Sequence, residues 1–217
     1  MDNKQAAALI IENIAMLEEA NSLLEEELNE SIFSTIDKLI KDWSDEAGWV
    51  GDYNFSEGDT WFGPSQWQLG GDIDDGSRLA SYWWSNSDTD NWWLTMLLAA
   101  GAGRAGFRFE VDRAQLPRTG KRSWRAFAIQ KNQEFSEIEK AGFQFEADEG
   151  TWFLPWKLDA KLLAENYVSD SIEDALGPVR EALKKIEDIH PTFLKIVEAA
   201  QQQFGPTQEL ETNVSEA

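Results

Sequence analysis

Aromatic and polar residues alternate along several short stretches in the middle of the chain. These stretches are GFRFEVD (106–112), SWRAFAIQ (123–130), GFQFEAD (142–148) and, after them, TWFLPWKL (151–158). Because successive side chains of a strand point to opposite faces, the alternation predicts antiparallel strands that bury one face. The segment SEIEKAG (136–142), which precedes the third stretch, is typical of a short helix with Gly142 near its end.

Two of these stretches are nearly the same. AGFRFEVD (105–112) and AGFQFEAD (141–148) differ at only two positions. The residues that follow each copy are unrelated, and a solenoid requires at least three repeats. We therefore expect two similar strands of one sheet. Their contribution to the core would be Phe107, Phe109, Phe143 and Phe145.

Tryptophan is concentrated in the turn-rich region before these stretches. Nine of the eleven tryptophans lie between residues 43 and 124. Turn residues in 44–93 delimit short predicted strands around Trp49–Phe55, Trp67–Leu69 and Leu79–Trp84. The segment NWWLTMLLAAGAG (91–103) fits either a buried strand or a short helix that ends at Gly101.

The two tryptophan pairs are candidates for a binding surface. Neighbours on a strand face opposite sides, so one member of each pair is expected in the core and the other on a surface. Exposed tryptophan is common at binding hot spots. The aromatic candidates for partner binding are Trp83, Trp84, Trp92 and Trp93. Core packing accounts for most tryptophans, and a platform for carbohydrate or bases is the alternative.

Helical periodicity governs the N-terminal 43 residues. An apolar stripe is formed by Ile10, Ile14, Leu17, Leu24 and Leu28, and a second one, after the potential cap Ser31, by Ile32, Ile36, Leu39, Ile40 and Trp43. The pattern predicts one long helix broken near Asn29, or a helical hairpin. We expect the stripe to pack within the chain. A homodimer through the N-terminal helices is the alternative. It is less favoured because the heptad pattern spans few turns.

Helical periodicity returns after Asp159. Gly177 and Pro178 predict a fresh helix start or a kink, and Pro191 predicts another helix start. The expected fold is therefore α+β, in one compact unit. Its parts are an N-terminal helical segment (1–43), a central antiparallel Trp/Phe-rich β-sheet (44–158), C-terminal helices packed on or beside the sheet (159–204) and a flexible tail (205–217).

Charge is unevenly distributed along the chain. There are 40 acidic and 19 basic residues, for a net charge of −21, but residues 101–131 hold eight basic and two acidic residues. Such an acidic surface repels nucleic acid and anionic lipid and attracts basic proteins. We expect the basic island (101–131) to pair with the protein's own Glu-rich helices or with the acidic face of a second copy, and phosphate binding is the alternative. Arg118, Lys121 and Arg122, in a predicted exposed turn, are its candidates for an intermolecular contact.

Several motifs resemble catalytic or metal sites without completing them. GAGRAG (101–106) has dinucleotide-loop spacing but precedes a strand instead of a helix. GDIDDGS (71–77) is one residue short of an EF-hand loop and lacks its last Glu. His190 is the single histidine, and LDAK (158–161) lies where the chain turns helical. We predict no catalytic residue, no metal and no cofactor, and an enzyme is the less favoured interpretation.

The leading hypothesis is a non-enzymatic, acidic protein-interaction module that binds a basic partner such as a nuclease or a nucleic-acid-binding protein. Inhibitors, immunity proteins and DNA mimics bind basic partners through acidic surfaces in this way. The acidic face would comprise Glu18, Glu19, Glu25, Glu26, Glu27 and Glu30. One alternative is an enzyme or accessory domain that acts on nucleic acid through the basic turn and carboxylate-bound Mg²⁺, and another is a carbohydrate-binding module. The absence of cysteine, of an export signal and of a long apolar run favours a cytoplasmic location.

Overall fold

An antiparallel sheet of six strands forms the centre of the molecule. The structure is a computed structural model that describes residues 3–56, 59–69, 77–86, 93–100 and 103–206. The strands are β1 (Trp49–Tyr53), β2 (Thr60–Pro64), β3 (Ala80–Asn86), β4 (Ala105–Val111), β5 (Gln144–Glu146) and β6 (Thr151–Trp156). Their order across the sheet is β1-β2-β3-β4-β6-β5. Helices precede and follow the sheet, so the predicted α+β fold is confirmed.

One predicted strand before the aromatic stretches is wrong. Residues 65–67 form a 3₁₀ turn rather than the expected strand at 67–69, and β2 lies just before them. Every residue of β2 is buried. A strand that is covered on both faces has no polar alternation, so its sequence gives no period-two signal.

The stretch SWRAFAIQ is also not a strand. It belongs to α5 (Lys121–Glu134), where Trp124, Phe127 and Ala128 are buried. Phe127 and Ala128 follow Trp124 by three and four residues, which places them on the same face of a helix. The segment therefore fits the period of a helix as well as the period-two alternation of a strand. The indole N–H of Trp124 donates to the carbonyl O of Gly150 at 3.2 Å, which holds α5 against the turn before β6.

The core lies between one face of the sheet and two long helices. The sheet contributes Phe62, Tyr82, Trp84, Phe107, Phe109, Trp152 and Leu154, all buried. Helix α3 (Asn29–Ala47) contributes Ile32, Ile36 and Ile40, and α9 (Gly177–Phe204) contributes Ile186, Phe193, Ile196 and Val197. Phe193 packs on Phe109 with ring centroids 4.1 Å apart.

The two similar stretches form β4 and β5 of the same sheet, as predicted. They are not neighbours, because β6 pairs with both and lies between them. Phe107 and Phe109 are fully buried on the core face of β4. Phe143 is also buried but precedes β5, following Gly142 with its φ of +102°.

The N-terminal helices run on from one another without a hairpin. They are α1 (Asn3–Glu12), α2 (Ile14–Leu23), a π-helical turn (Leu24–Leu28) and α3. The predicted break near Asn29 is therefore wrong, because α3 begins there directly after the π turn. Packing of the apolar stripe within the chain is found for α3 but not for residues 4–23, where no residue is buried. The helical run from Asn3 to Ala47 is roughly 68 Å long at about 1.5 Å per residue, several times the length of any strand of the sheet.

The remaining helices follow or interrupt the sheet. They are α4 (Trp93–Leu97), α6 (Glu137–Lys140), α7 (Ala160–Val168) and α8 (Ile172–Ala175). The predicted start at Gly177 is confirmed, with Pro178 in the first turn of α9. The start predicted at Pro191 is wrong, because this proline lies inside α9. Buried residues on either side of it, Ile189 and Phe193, hold the helix to the core despite the lost hydrogen bond.

None of the helices in the described residues combines the length and the apolar character needed to cross a bilayer. The segment expected to be a flexible tail lies outside the described residues from position 207 onward. The motif GDIDDGS, apart from Ser77, also lies outside them.

Candidate functional site: an acidic cavity with an aromatic floor

A cavity of about 540 Å³ opens where the π turn and α3 meet the β1–β2 connection and the start of α4. Its lining is Glu25, Asn29, Glu30, Phe33, Phe55, Ser56, Asp59 and Trp93. Three of these side chains are carboxylates and three are aromatic rings. Residues that are far apart in sequence therefore build one acidic, aromatic cavity, which we call the acidic cavity.

Aromatic rings in mutual contact form the floor of the acidic cavity. The rings of Phe33 and Phe55 meet edge to face at 5.3 Å between centroids, and Phe55 meets Trp93 edge to face at 4.4 Å. Trp84, which is buried behind them, stacks on Phe55 at 4.1 Å. Trp84 also contacts Phe33 and Trp93, so each ring has at least two aromatic neighbours and the floor is a rigid surface.

Asp37 of α3 fixes the position of the floor. Its Oδ2 accepts a hydrogen bond from the backbone N–H of Phe55 at 2.9 Å, and its Oδ1 accepts one from the hydroxyl of Thr60. Burial raises the pKa of Asp37, although both hydrogen bonds act in the opposite direction. The β1–β2 connection is therefore tied to α3 through Phe55 and Thr60, which lie on the two sides of Asp59 in the sequence.

The rim of the acidic cavity carries Glu25, Glu30 and Asp59, all exposed. In the part of the chain that the structure describes, none of these carboxylates takes part in an ion pair. Carboxylates above aromatic rings suit a cation, because the oxygens accept charge-assisted hydrogen bonds and the rings attract positive charge. The arrangement fits a guanidinium or an ammonium group.

The predicted acidic face divides between the acidic cavity and the open helix. Glu25 and Glu30 line the cavity. The other four residues of that prediction, Glu18, Glu19, Glu26 and Glu27, are exposed on α2 and the π turn outside it. These four therefore contribute to the surrounding negative potential rather than to the cavity itself.

The aromatic candidates lie in different places. Trp93 lines the acidic cavity and Trp84 supports its floor, whereas Trp83 faces the opposite side of the sheet. On that side the guanidinium of Arg78 covers Trp83 at 4.6 Å and Trp61 at 3.9 Å from the ring centroids. Burial lowers the pKa of Arg78. Trp92 lies outside the described residues.

Five of the cavity residues were not among the sequence candidates: Asn29, Phe33, Phe55, Ser56 and Asp59. Phe33 follows Ile32 in a helix whose apolar side is broad, so nothing separates it from ordinary core residues. Phe55 and Asp59 lie in a turn-rich region, where polar composition masks their role. The π turn adds a residue to the helical turn and re-aims Glu25, and π-helical turns are frequent at functional sites.

The basic island makes most of its contacts within the protein. Arg108 donates to Glu146 at 3.1 Å, Lys121 to Glu149 at 3.1 Å and Arg125 to Asp148 at 2.6 Å. Lys131 pairs with Glu134 at 2.8 Å, and Arg104 donates to Gln144. Pairing within the protein is thus observed, but the acids belong to β5, to the turn after it and to α5, and not to the Glu-rich helices that we expected.

Residues of the predicted basic turn differ in their contacts. Arg118 donates to the carbonyl O of Gly205 at 2.6 Å and thereby binds the end of α9. Lys121 starts α5, and its ion pair lowers the pKa of Glu149. Arg122 is exposed on the first turn of α5. The three residues therefore do not form one free basic surface.

A second cavity, of about 620 Å³, lies beside the basic island. Charged residues of both signs line it, among them Arg108, Glu110, Arg113, Lys121, Glu146 and Glu149. Burial raises the pKa of Glu110. Two of the internal ion pairs described above lie in this lining, so its charges are largely compensated within the protein.

The remaining titratable candidates have structural roles. His190 lies between Trp49 and Trp67, with its Nδ1 3.4 Å from the hydroxyl of Tyr82, and burial lowers its pKa to about 4. Asp159 caps α7 by accepting from the N–H of Leu162 at 2.8 Å. Within the described ranges, no group of three or more His, Cys, Asp or Glu side chains is arranged to hold a metal ion.

Comparison with known proteins gives no relative for this arrangement. No family model matches the chain, and no curated protein and no solved structure matches it significantly.

Proposed function

We propose that the protein is a non-enzymatic interaction module that binds a basic protein partner, and that the acidic cavity receives an arginine or lysine side chain of that partner. One observation carries the proposal: Glu25, Glu30 and Asp59 surround a floor of three aromatic rings. A cationic side chain in the cavity would contact the carboxylates with its charged group and pack against the aromatic rings of the floor.

The charge of the whole protein supports the same partner. A net charge of −21 produces a negative potential that accelerates the approach of a basic protein and repels nucleic acid. Glu18, Glu19, Glu26 and Glu27 lie on the helix that leads to the acidic cavity. In this proposal they steer the partner, and the cavity provides the specific contact.

The chemistry of such a partner narrows its class. Nucleases and nucleic-acid-binding proteins present clustered arginine and lysine to phosphate, so an acidic module can occupy that surface. The proposed role is therefore that of an inhibitor, immunity protein or DNA mimic, in the cytoplasm, where a chain without cysteine needs no oxidising compartment.

Fewer observations favour the two alternatives. Action on nucleic acid would use the basic island, but Arg108, Lys121 and Arg125 are paired with the protein's own acids. Carbohydrate binding would use open tryptophan rings, but Arg78 covers Trp61 and Trp83. Neither set of residues offers the unpaired charge or open ring face that its ligand requires.

A comparison of two charge-matched variants tests the proposal. The first variant carries Glu25→Gln, Glu30→Gln and Asp59→Asn, and the control carries Glu18→Gln, Glu19→Gln and Glu26→Gln. Both lose three negative charges. Proteins that co-purify with the tagged wild type at low salt are identified, and the affinity of each basic partner is then measured for all three proteins. We expect the cavity variant to lose at least tenfold more affinity than the control.

Two results would contradict the proposal. One is the absence of any basic protein among the partners that bind directly at low salt. The other is an equal loss of affinity in the two variants, because equal losses would mean that only total charge matters.

A further inference from the structure

A seam of exposed apolar residues runs along α1 and α2. The exposed fraction is 51% for Ile10, 52% for Ile14 and 41% for Leu17. A turn at Asn13 separates α1 from α2, but hydrogen bonds bridge it, since the N–H of Asn13 donates to the carbonyls of Leu9 and Ile10 and its own carbonyl accepts from Leu17. An isolated helix with such a seam is only marginally stable in water, so the seam requires a partner.

The seam follows a heptad. With Ile14 at an a position, the a residues are Ala7, Ile14 and Asn21, and the d residues are Ile10, Leu17 and Leu24. Every one of these positions lies before α3 enters the core. The seam is short, and the described residues leave all of it exposed except Leu24, which is half-buried.

Charge along the same helix is strongly asymmetric. Residues 18–30 contain six glutamates and no basic residue, whereas residues 3–17 contain one glutamate and one lysine. A parallel pair of helices would place the two glutamate-rich halves side by side. An antiparallel pair places each glutamate-rich half against a neutral half, and it keeps the two acidic bodies at opposite ends.

We propose that α1 and α2 pair with the same helices of a second copy, antiparallel, about a two-fold axis between Ala15 and Met16. This inference does not rest on the proposed function, although Glu25 takes part in both. Each a residue then faces a d residue of the other copy, and the facing pairs are Ala7 with Leu24, Ile10 with Asn21 and Ile14 with Leu17. The interface is self-complementary, as a two-fold axis requires.

The flanking positions agree with this register. Lys4 and Glu25 occupy e positions, which face each other in the antiparallel pair, so each end of the interface brings together opposite charges. The other facing e residues are Ile11 and Glu18. No glutamate faces a glutamate at the e or g positions. In a parallel pair, Asn21 would face Asn21 of the other copy and form one hydrogen bond with it. That bond would have to offset the repulsion between the twelve glutamates of the two helices.

The oligomeric state is the first test. Light scattering after size exclusion is expected to give a dimer for the wild type and a monomer for the variant Ile10→Gln, Ile14→Gln, Leu17→Gln. The control Leu9→Gln, Met16→Gln, Leu23→Gln removes the same number of exposed apolar side chains from outside the seam and should stay dimeric. These residues are exposed in the monomer and Gln is a good helix former, so both variants should fold.

Disulfide cross-linking tests the orientation, and the absence of native cysteine makes it unambiguous. Ala7→Cys and Leu24→Cys proteins are prepared separately, mixed and oxidised. The antiparallel pair predicts a mixed Cys–Cys dimer between the two proteins and little cross-linking of either protein alone. A monomeric wild type, a dimer that survives loss of the seam, or cross-linking of each protein with itself would overturn the proposal. These variants leave every residue that lines the acidic cavity unchanged, so failure here leaves the proposed function intact.

Discussion

Arg108 of β4 forms an ion pair with Glu146 of β5, across the strand β6 that lies between them. The Nε–Oε2 distance is 3.1 Å, and the hydroxyl of Thr151 in β6 donates to the same carboxylate oxygen at 3.0 Å. Arg108 and Glu146 belong to the two nearly identical stretches of the sequence. The ion pair therefore links three strands on the face opposite the core.

Replacing Glu146 tests the energetic role of this link. Both side chains of the pair are largely shielded from solvent, so Glu146→Ala should reduce the free energy of unfolding by about 1–2 kcal/mol. Urea unfolding followed by circular dichroism measures the change. Glu134→Ala breaks the pair Lys131–Glu134, whose carboxylate is more exposed than that of Glu146, and should cost less than about 0.5 kcal/mol. Equal effects in the two variants would contradict a special role for Glu146.

Asp37 is predicted to be the main structural support of the acidic cavity. Asp37→Ala leaves the N–H of Phe55 and the hydroxyl of Thr60 without an acceptor, which should cost about 1–3 kcal/mol of stability. Asp42→Ala, an exposed change on the same helix, serves as the control. Chemical denaturation measures both variants. A change below about 0.5 kcal/mol for Asp37→Ala would contradict this role.

His190 should make stability depend on pH between about 6.5 and 4. Its pKa is lowered to about 4 by burial, so in this interval the unfolded chain binds a proton that the folded protein does not. Stability is therefore expected to fall as the pH falls through this window and to show no contribution from His190 above it. The carboxylates titrate nearby, so the quantity to measure is the difference between the wild type and His190→Gln.

The His190→Gln variant should lose less stability than the wild type between pH 6.5 and pH 4. Parallel profiles for the two proteins across this window would mean that His190 is equally accessible to protons in both states.

Gly106 should be intolerant of any side chain. A Cβ at this position in β4 would lie 2.4 Å from the carbonyl O of Leu154 in the neighbouring strand. Gly106→Ala is thus expected to destabilise the sheet by about 1–3 kcal/mol. At Gly120 a Cβ would meet no atom within 4 Å, so Gly120→Ala is the matched control and should be nearly neutral. Thermal unfolding of the two variants compares these costs directly.

The strands around the repeated stretches could be predicted because one of their faces is buried and the other is polar. The same rule failed for β2, which is covered on both faces, and for α5, whose Trp124 and Phe127 satisfy two periodicities. Pro191 was misjudged because local backbone preference was weighed without the buried residues that hold α9 in place. Local pattern determines an element only where no long-range packing overrides it.

The acidic cavity was only partly predictable. Glu25, Glu30 and Trp93 were candidates because of charge and aromatic clustering. Phe55 and Asp59 reach the cavity through the bonds that Asp37 makes to the β1–β2 connection, and these bonds join residues up to 23 positions apart. Periodicity and composition do not encode such a contact, so its effect on the site emerged only from the fold.

The most direct measurement is an NMR titration of the ¹⁵N-labelled protein with N-acetyl-arginine amide, with the uncharged citrulline analogue as the control ligand. A cation-binding cavity predicts arginine-specific shifts at Phe55, Asp59 and the indole N–H of Trp93, and their loss in the variant Glu25→Gln, Glu30→Gln, Asp59→Asn. Shifts spread evenly over the acidic helix, or unchanged in that variant, would contradict a cation-binding cavity.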